Sequence, residues 1–244
     1  MALLTINWMA PSIGQNTSMN VLLPESSKPL PVLYLLHGMS DSYQSWLRLS
    51  AIEWNVYQLP LIIVMPDGGR SFYCNDPRPG GAAYEDHIVK DVVGYIDRTF
   101  NTIPARRGRA IAGLSMGGYG AIMLALRHPE LFSVAGGHSS ALGFHNPKLS
   151  RWKELQVGKD GDYDLFQLAR RFVRSGKKLA LRFDCGVDDF LIGHNRSFHA
   201  HLAKIGLPHI YQENPGGHDW GYFGGHIPDT LAFVKRHLIE KKGK

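Results

Sequence analysis

Between residues 30 and 215 the chain alternates short, mostly apolar runs with longer stretches of helical period. The runs are "VLYLL" at 32–36, "LIIVM" at 61–65, "RAIAG" at 109–113, "FSVAGG" at 132–137, "KLALRF" at 178–183 and "HIYQE" at 209–213. A strand that is apolar on successive residues must be covered on both faces, which is the condition of a parallel sheet. Helical periodicities over about 43–58, 84–100, 115–127, 162–175, 189–205 and 219–240 supply the cover. Alternation of this kind predicts an α/β fold, with a mostly parallel central sheet, right-handed crossovers and helices on both faces. Ahead of it, residues 2–9 and 18–23 alternate polar and apolar, so an antiparallel pair should open the fold. At 244 residues we expect one domain over 1–244. The stretch 139–161, "SSALGFHNPKLSRWKELQVGKDG", has no clean period and reads as an insertion at the strand C-terminal edge.

Composition narrows the class. The net charge of +6 permits nucleic-acid binding, but the basic residues are scattered along the chain, which is the pattern of a solvated surface. We therefore expect no nucleic-acid partner. The start, "MALLTINWMAPSIG", lacks a basic leader, and no apolar run approaches the ~20 residues of a membrane span. Two cysteines, Cys74 and Cys185, do not make a disulfide framework, and Cys185 after "KLALRFD" should be a buried free thiol. These features suit the cytoplasm and no membrane partner. Self-association stays open.

Residues 111–122, "IAGLSMGGYGAI", are poor helix formers on propensity alone, since each glycine costs about 1 kcal/mol in a helix interior. They fit another purpose. A strand ending at Gly113 and a helix starting near Ser115 give a tight strand–serine–helix turn, the G-x-S-x-G nucleophile elbow. The elbow would lift the Ser115 hydroxyl above the sheet, and the Met116 N–H would face a developing oxyanion. Such a serine needs a base and an orienting carboxylate, in the chain order serine, acid, histidine. His218, in the glycine-rich loop "NPGGHDWGYF", is the candidate base, with His226 as fallback. His194, His199 and His201 share no helix face, so we expect no metal site there. For the acid, "DCGVDDFL" offers Asp184, Asp188 and Asp189, and spacing alone does not choose among them. Asp219 should cap the last helix. "LLHGMSDSYQSW" follows the early strand, and its Met39 N–H is the second oxyanion donor candidate. The aromatic residues Trp46, Tyr73, Trp152 and Trp220 are expected to line a substrate pocket, with Phe72 and Tyr222 close by.

Taken together, "PVLYLLHGMSDSYQSW", "LIIVMPDGGRSFYCND", "IAGLSMGGYGA", "CGVDDFL" and "GGHDWGYF" resemble the esterase D family of α/β-hydrolases, over about residues 3–236. The nearest branch is the small tributyrin/acetyl esterases and the feruloyl esterases. The resemblance implies the α/β-hydrolase fold and a serine carboxylesterase, without cofactor or metal, acting on short-chain acyl or feruloyl-type esters of small molecules. It assigns the triad to Ser115, Asp189 and His218, the acid by the family's Cys-Gly-x-x-Asp-Phe-Leu, and the oxyanion donors to Met39 and Met116. It also implies that 139–161 forms a lid, here short and basic with Lys148, Arg151 and Lys153. Position 74 departs from the family, being Cys where a polar residue is expected. S-formylglutathione hydrolases share Gly-Leu-Ser-Met-Gly-Gly but have a histidine loop nearer His-Ser-Tyr-Tyr, so oxygen esters are favoured. Two further readings are acyl transfer to an alcohol, as in mycolyl transferases that share the elbow, and a binding module with an inactive triad.

Overall fold

The computed structural model describes residues 1–146, 148 and 162–240. Strands β1 (Ala2–Ala10) and β2 (Gln15–Leu23) form the expected antiparallel hairpin, from Ala2 opposite Leu23 to Ala10 opposite Gln15. It joins six further strands: β3 Val32–Leu36, β4 Ile62–Pro66, β5 Arg109–Leu114, β6 Val134–His138, β7 Ala180–Gly186 and β8 Ile210–Asn214. The sheet order is β1-β2-β4-β3-β5-β6-β7-β8, and every pairing from β4 to β8 is parallel. Chain order reverses about β3, so loops leaving the C-terminal ends of the strands converge there, where α/β sheets place their ligands.

Period-two geometry sends alternate strand residues to opposite faces. Val32, Tyr34 and Leu36 of β3 join one core cluster, with Ile62 and Val64 of β4 and Ile111 of β5. Leu33 and Leu35, with Ile63, Met65, Ala110 and Ala112, join the other. The helical stretch 84–99 and helices Met116–Arg127, Leu165–Arg174 and Ile192–Ile205 cover the first face. Helices Ser45–Leu49, Ile52–Val56 and Trp220–Val234 cover the second.

The helix expected at 43–58 is two short helices, because Ser50 between them is extended at φ −141° and ψ 172° and its hydroxyl turns back to Trp46 O at 2.6 Å. The helix expected at 84–100 is continuous over 84–99 but contains a π-helical turn at His87–Val92, and Phe100 is already extended. Strand β8 is the outer parallel strand, and its exposed edge explains the polar character of "HIYQE". Of the insertion, residues 139–144 form a buried turn after β6, while 147 and 149–161 lie outside the described residues.

Candidate active site

The loop between β5 and helix Met116–Arg127 is the tightest point of the fold. Ser115 is the helix N-cap at φ 53° and ψ −114°, a conformation that side chains seldom adopt. Close approach requires the two flanking glycines: a Cβ on Gly113 would lie 2.5 Å from the Gly117 carbonyl carbon, and one on Gly117 would lie 2.5 Å from Leu36 O. Ser115 N donates to His138 O at 2.9 Å, and Ser115 O accepts from Ala141 N at 3.1 Å. The hydroxyl is thus fixed at the positive end of a helix dipole. Among the described residues the other non-glycine positions at positive φ are Phe72, Tyr73 and Ser139, all in loops beside this turn. Such strain gathers where a surrounding structure holds a site.

The loop between β8 and the last helix and the turn after β7 deliver the other two groups. Ser115 Oγ donates to His218 Nε2 at 3.0 Å, and His218 Nδ1 donates to Asp189 Oδ2 at 2.7 Å. Asp189 is only 2% exposed and its Oδ1 accepts the Leu191 N–H at 2.7 Å. Burial alone would raise its carboxyl, but the hydrogen bonds from His218 and Leu191 hold it below the ordinary carboxylate range. It is therefore an acceptor, which fixes Nδ1–H as the donor on His218 and leaves Nε2 for the hydroxyl proton. Asp188 faces solvent and Asp184 is turned into the interior, so the three aspartates occupy three different environments. Asp219 accepts from Tyr222 N at 3.0 Å as a helix cap. His226 lies on the helix face toward Asp229, 3.6 Å away, with its ring against Tyr222.

Opposite Ser115, the loop after β3 is braced from beneath. His37 Nδ1 donates to Gly38 O at 2.7 Å, and its Nε2 accepts Gly68 N at 2.8 Å. Burial lowers the His37 pKa, so the ring is neutral and can take both roles. Gly38 N donates to Asp41 Oδ2 at 3.1 Å and Tyr73 OH donates to His37 O at 3.0 Å. Met39 follows on this loop. Met116 is the first residue of its helix, where N–H groups have no partner within the helix.

A cavity of about 280 Å³ opens over Ser115, lined by Met39, Met116, His218, Trp220, Phe72, Phe190 and Phe223, among others. Trp220 stands where the pocket aromatics were expected, but Trp46 and Tyr73 do not. Trp46 is fully buried behind the wall, donating to Leu36 O at 3.1 Å and meeting Trp220 edge-on at 5.2 Å. Tyr73 is fully buried under the β3 loop, and its neighbour Phe72 lines the cavity instead. Trp152 lies outside the described residues. Phe190, beside the acid in sequence, is 57% exposed, with its ring 4.6 Å from that of His218. Its place next to Asp189 was the signal available for it. Both cysteines are buried and unpaired; burial raises the Cys185 thiol to about 12. Among the described residues no helix is long and apolar enough to cross a membrane, and no cluster of three His, Cys, Asp or Glu is placed for a metal.

Comparison with known proteins agrees with this architecture. A family model described as "Putative esterase" matches residues 10–234. The acetyl esterase of Caldicellulosiruptor saccharolyticus is 28% identical, over 97% of this chain and 99% of its own. Two solved structures from Staphylococcus aureus are each 29% identical over 96% of this chain and 98% of theirs. One is the fluorophosphonate-binding serine hydrolase F, at a TM-score of 0.87, and the other an S-formylglutathione hydrolase, at 0.86. A ferulic acid esterase, 26% identical over 97% of this chain and 98% of its own, superposes at 0.82. The chain belongs to this esterase family: it is a serine carboxylic ester hydrolase on the α/β-hydrolase fold.

Proposed function

We propose that the protein hydrolyses short-chain acyl or aromatic, feruloyl-type esters of small molecules through an acyl-enzyme on Ser115. The observation that carries this reading is the unbroken hydroxyl–imidazole–carboxylate line at the base of a largely apolar cavity. Ser115 Oγ attacks the ester carbonyl while His218 Nε2 takes its proton. Asp189 holds the imidazole tautomer and stabilises the imidazolium. His218 then protonates the departing alcohol. Water, deprotonated by the same nitrogen, attacks the acyl-enzyme and releases the acid. The Met39 and Met116 N–H groups stabilise the tetrahedral oxyanion, one such donor being worth about 3 kcal/mol. The chemistry needs no cofactor. Two buried free thiols suit a reducing cytoplasm.

Thioester hydrolysis of S-formylglutathione uses the same steps. We favour oxygen esters because the histidine loop at 218–222 reads His-Asp-Trp-Gly-Tyr, where S-formylglutathione hydrolases are nearer His-Ser-Tyr-Tyr. The test is Ser115→Ala on p-nitrophenyl acetate, run beside a panel of acetyl, butyryl, feruloyl and formyl-thioester substrates. Ser115→Ala should lower kcat by about 10⁶-fold in a folded protein. The oxygen esters should exceed the thioester in kcat/KM. An active Ser115→Ala enzyme would remove the mechanism, and a dominant thioester activity would reverse the substrate preference.

A further inference from the structure

Behind the triad lies a second array of the same three group types. Thr230 Oγ1 is 3.0 Å from His138 Nε2, and His138 Nδ1 is 3.0 Å from Asp184 Oδ1. Its spacing is close to that of Ser115, His218 and Asp189. Yet Thr230, His138 and Asp184 are all 0% exposed, and none of them lines the catalytic cavity. No ester can reach this hydroxyl.

The array is closed by further bonds. Arg182 Nη1 donates to Asp184 Oδ2 at 2.9 Å and to Thr230 Oγ1 at 2.8 Å, while Nη2 donates to Gln212 Oε1 at 2.8 Å. Tyr222 OH donates to Asp184 Oδ1 at 3.0 Å. Burial would raise the Asp184 carboxyl, but His138, Arg182 and Tyr222 keep it below the ordinary range, so it is a carboxylate and His138 Nδ1 is the donor. Thr230 Oγ1 accepts from Arg182 and shares a hydrogen bond with His138 Nε2. A buried network satisfied in this way is rigid, and losing one member orphans several others.

Its members sit on the elements that carry the triad. His138 ends β6, and its carbonyl accepts the Ser115 N–H. Arg182 and Asp184 lie in β7, whose exit turn presents Asp189. Gln212 lies in β8, which leads into the His218 loop, and Tyr222 and Thr230 lie on the helix that follows His218.

We propose that the buried Thr230–His138–Asp184 cluster, tied together by Arg182, is a positioning device that sets the register of Ser115, His218 and Asp189. Its residues touch no substrate; they act by holding three chain segments to one geometry. The proposal rests on the reading of Ser115 as nucleophile and His218 as base.

The test is a pair of substitutions at one site. Thr230→Val keeps the shape and deletes the hydroxyl, leaving Arg182 and His138 each short of a partner. Thr230→Ser restores the hydroxyl. Assayed well below its Tm with p-nitrophenyl acetate, Thr230→Val should lose about tenfold in kcat with KM unchanged, and Thr230→Ser should recover nearly all of it. A lower Tm with kcat and KM both at wild-type values would show the cluster to be structural only. Should Thr230→Val not fold, Tyr222→Phe carries the same comparison: reduced kcat at constant KM supports the proposal, and unchanged kcat overturns it. Ser115→Ala is measured alongside. An active Ser115→Ala enzyme defeats the catalytic reading itself, whereas an inactive one beside a fully active Thr230→Val defeats only the positioning role.

Discussion

Asp188 and Asp189 are neighbours in the chain, and environment gives them different chemistry. Asp188 faces water, whereas Asp189 is buried on the His218 imidazole, 2.7 Å away. Asp189→Asn should keep the fold but favour the wrong tautomer of His218, lowering kcat by about 10⁴-fold. Asp188→Asn should stay within about twofold of wild type, since no buried contact is lost. Steady-state kinetics on both variants checks the assignment, and the reverse ranking would refute it. Sequence spacing alone left Asp184, Asp188 and Asp189 open, because all three cluster at the end of one strand. The family motif chose Asp189, and its contact with His218 Nδ1 at 2.7 Å gives the physical reason, since Asp184 is bound to His138 instead. Aromatic residues were less legible. Trp46 and Tyr73 are as apolar and as near the motifs as Trp220 and Phe72. Which of them reaches the cavity depends on backbone direction, which local sequence does not carry.

At the scale of elements, the elbow is the clearest case of sequence dictating geometry. Gly117 is required because Leu36 O and His37 O would lie 2.5 and 2.6 Å from any Cβ there, and backbone cannot move aside cheaply. Gly117→Ala should therefore destabilise the protein by a few kcal/mol, at about the upper end for single substitutions. Residual folded enzyme should be impaired because the helix start shifts. Thermal unfolding with activity measured on the folded fraction tests this; wild-type Tm and activity would contradict the packing argument. The sheet's strands were legible because burial on both faces forces uniform apolarity. Helix boundaries were less so: the apolar period marks neither the break at Ser50, whose hydroxyl turns back to Trp46 O, nor the π-turn at His87–Val92. The Thr230–His138–Asp184 cluster was invisible for a related reason. Its members come from β6, β7 and the last helix, and each alone reads as an ordinary core polar residue.

Across the whole molecule, polar ties join the helices on one face of the sheet. Glu85, only 2% exposed, accepts Arg127 Nε at 2.7 Å, pairs with His128 Nε2 at 2.6 Å, and accepts Tyr163 OH at 2.8 Å. Burial would raise its carboxyl, but the hydrogen bonds from His128, Arg127 and Tyr163 hold it at about 2. A depressed folded-state pKa adds stability above the unfolded value and loses it as pH falls through the folded one. The Tm advantage of wild type over Glu85→Gln should therefore be full near neutral pH and fade between about pH 4.5 and 2. A difference that does not vary with pH would contradict the role of charge in this tie. The central claim, though, concerns Ser115, and labelling with a fluorophosphonate followed by peptide mapping tests it most directly. The account predicts a single adduct on the Ser115 peptide, activity lost in step with labelling, and slower labelling in the presence of p-nitrophenyl acetate. An adduct on a different serine, or full turnover by enzyme labelled at Ser115, would contradict it.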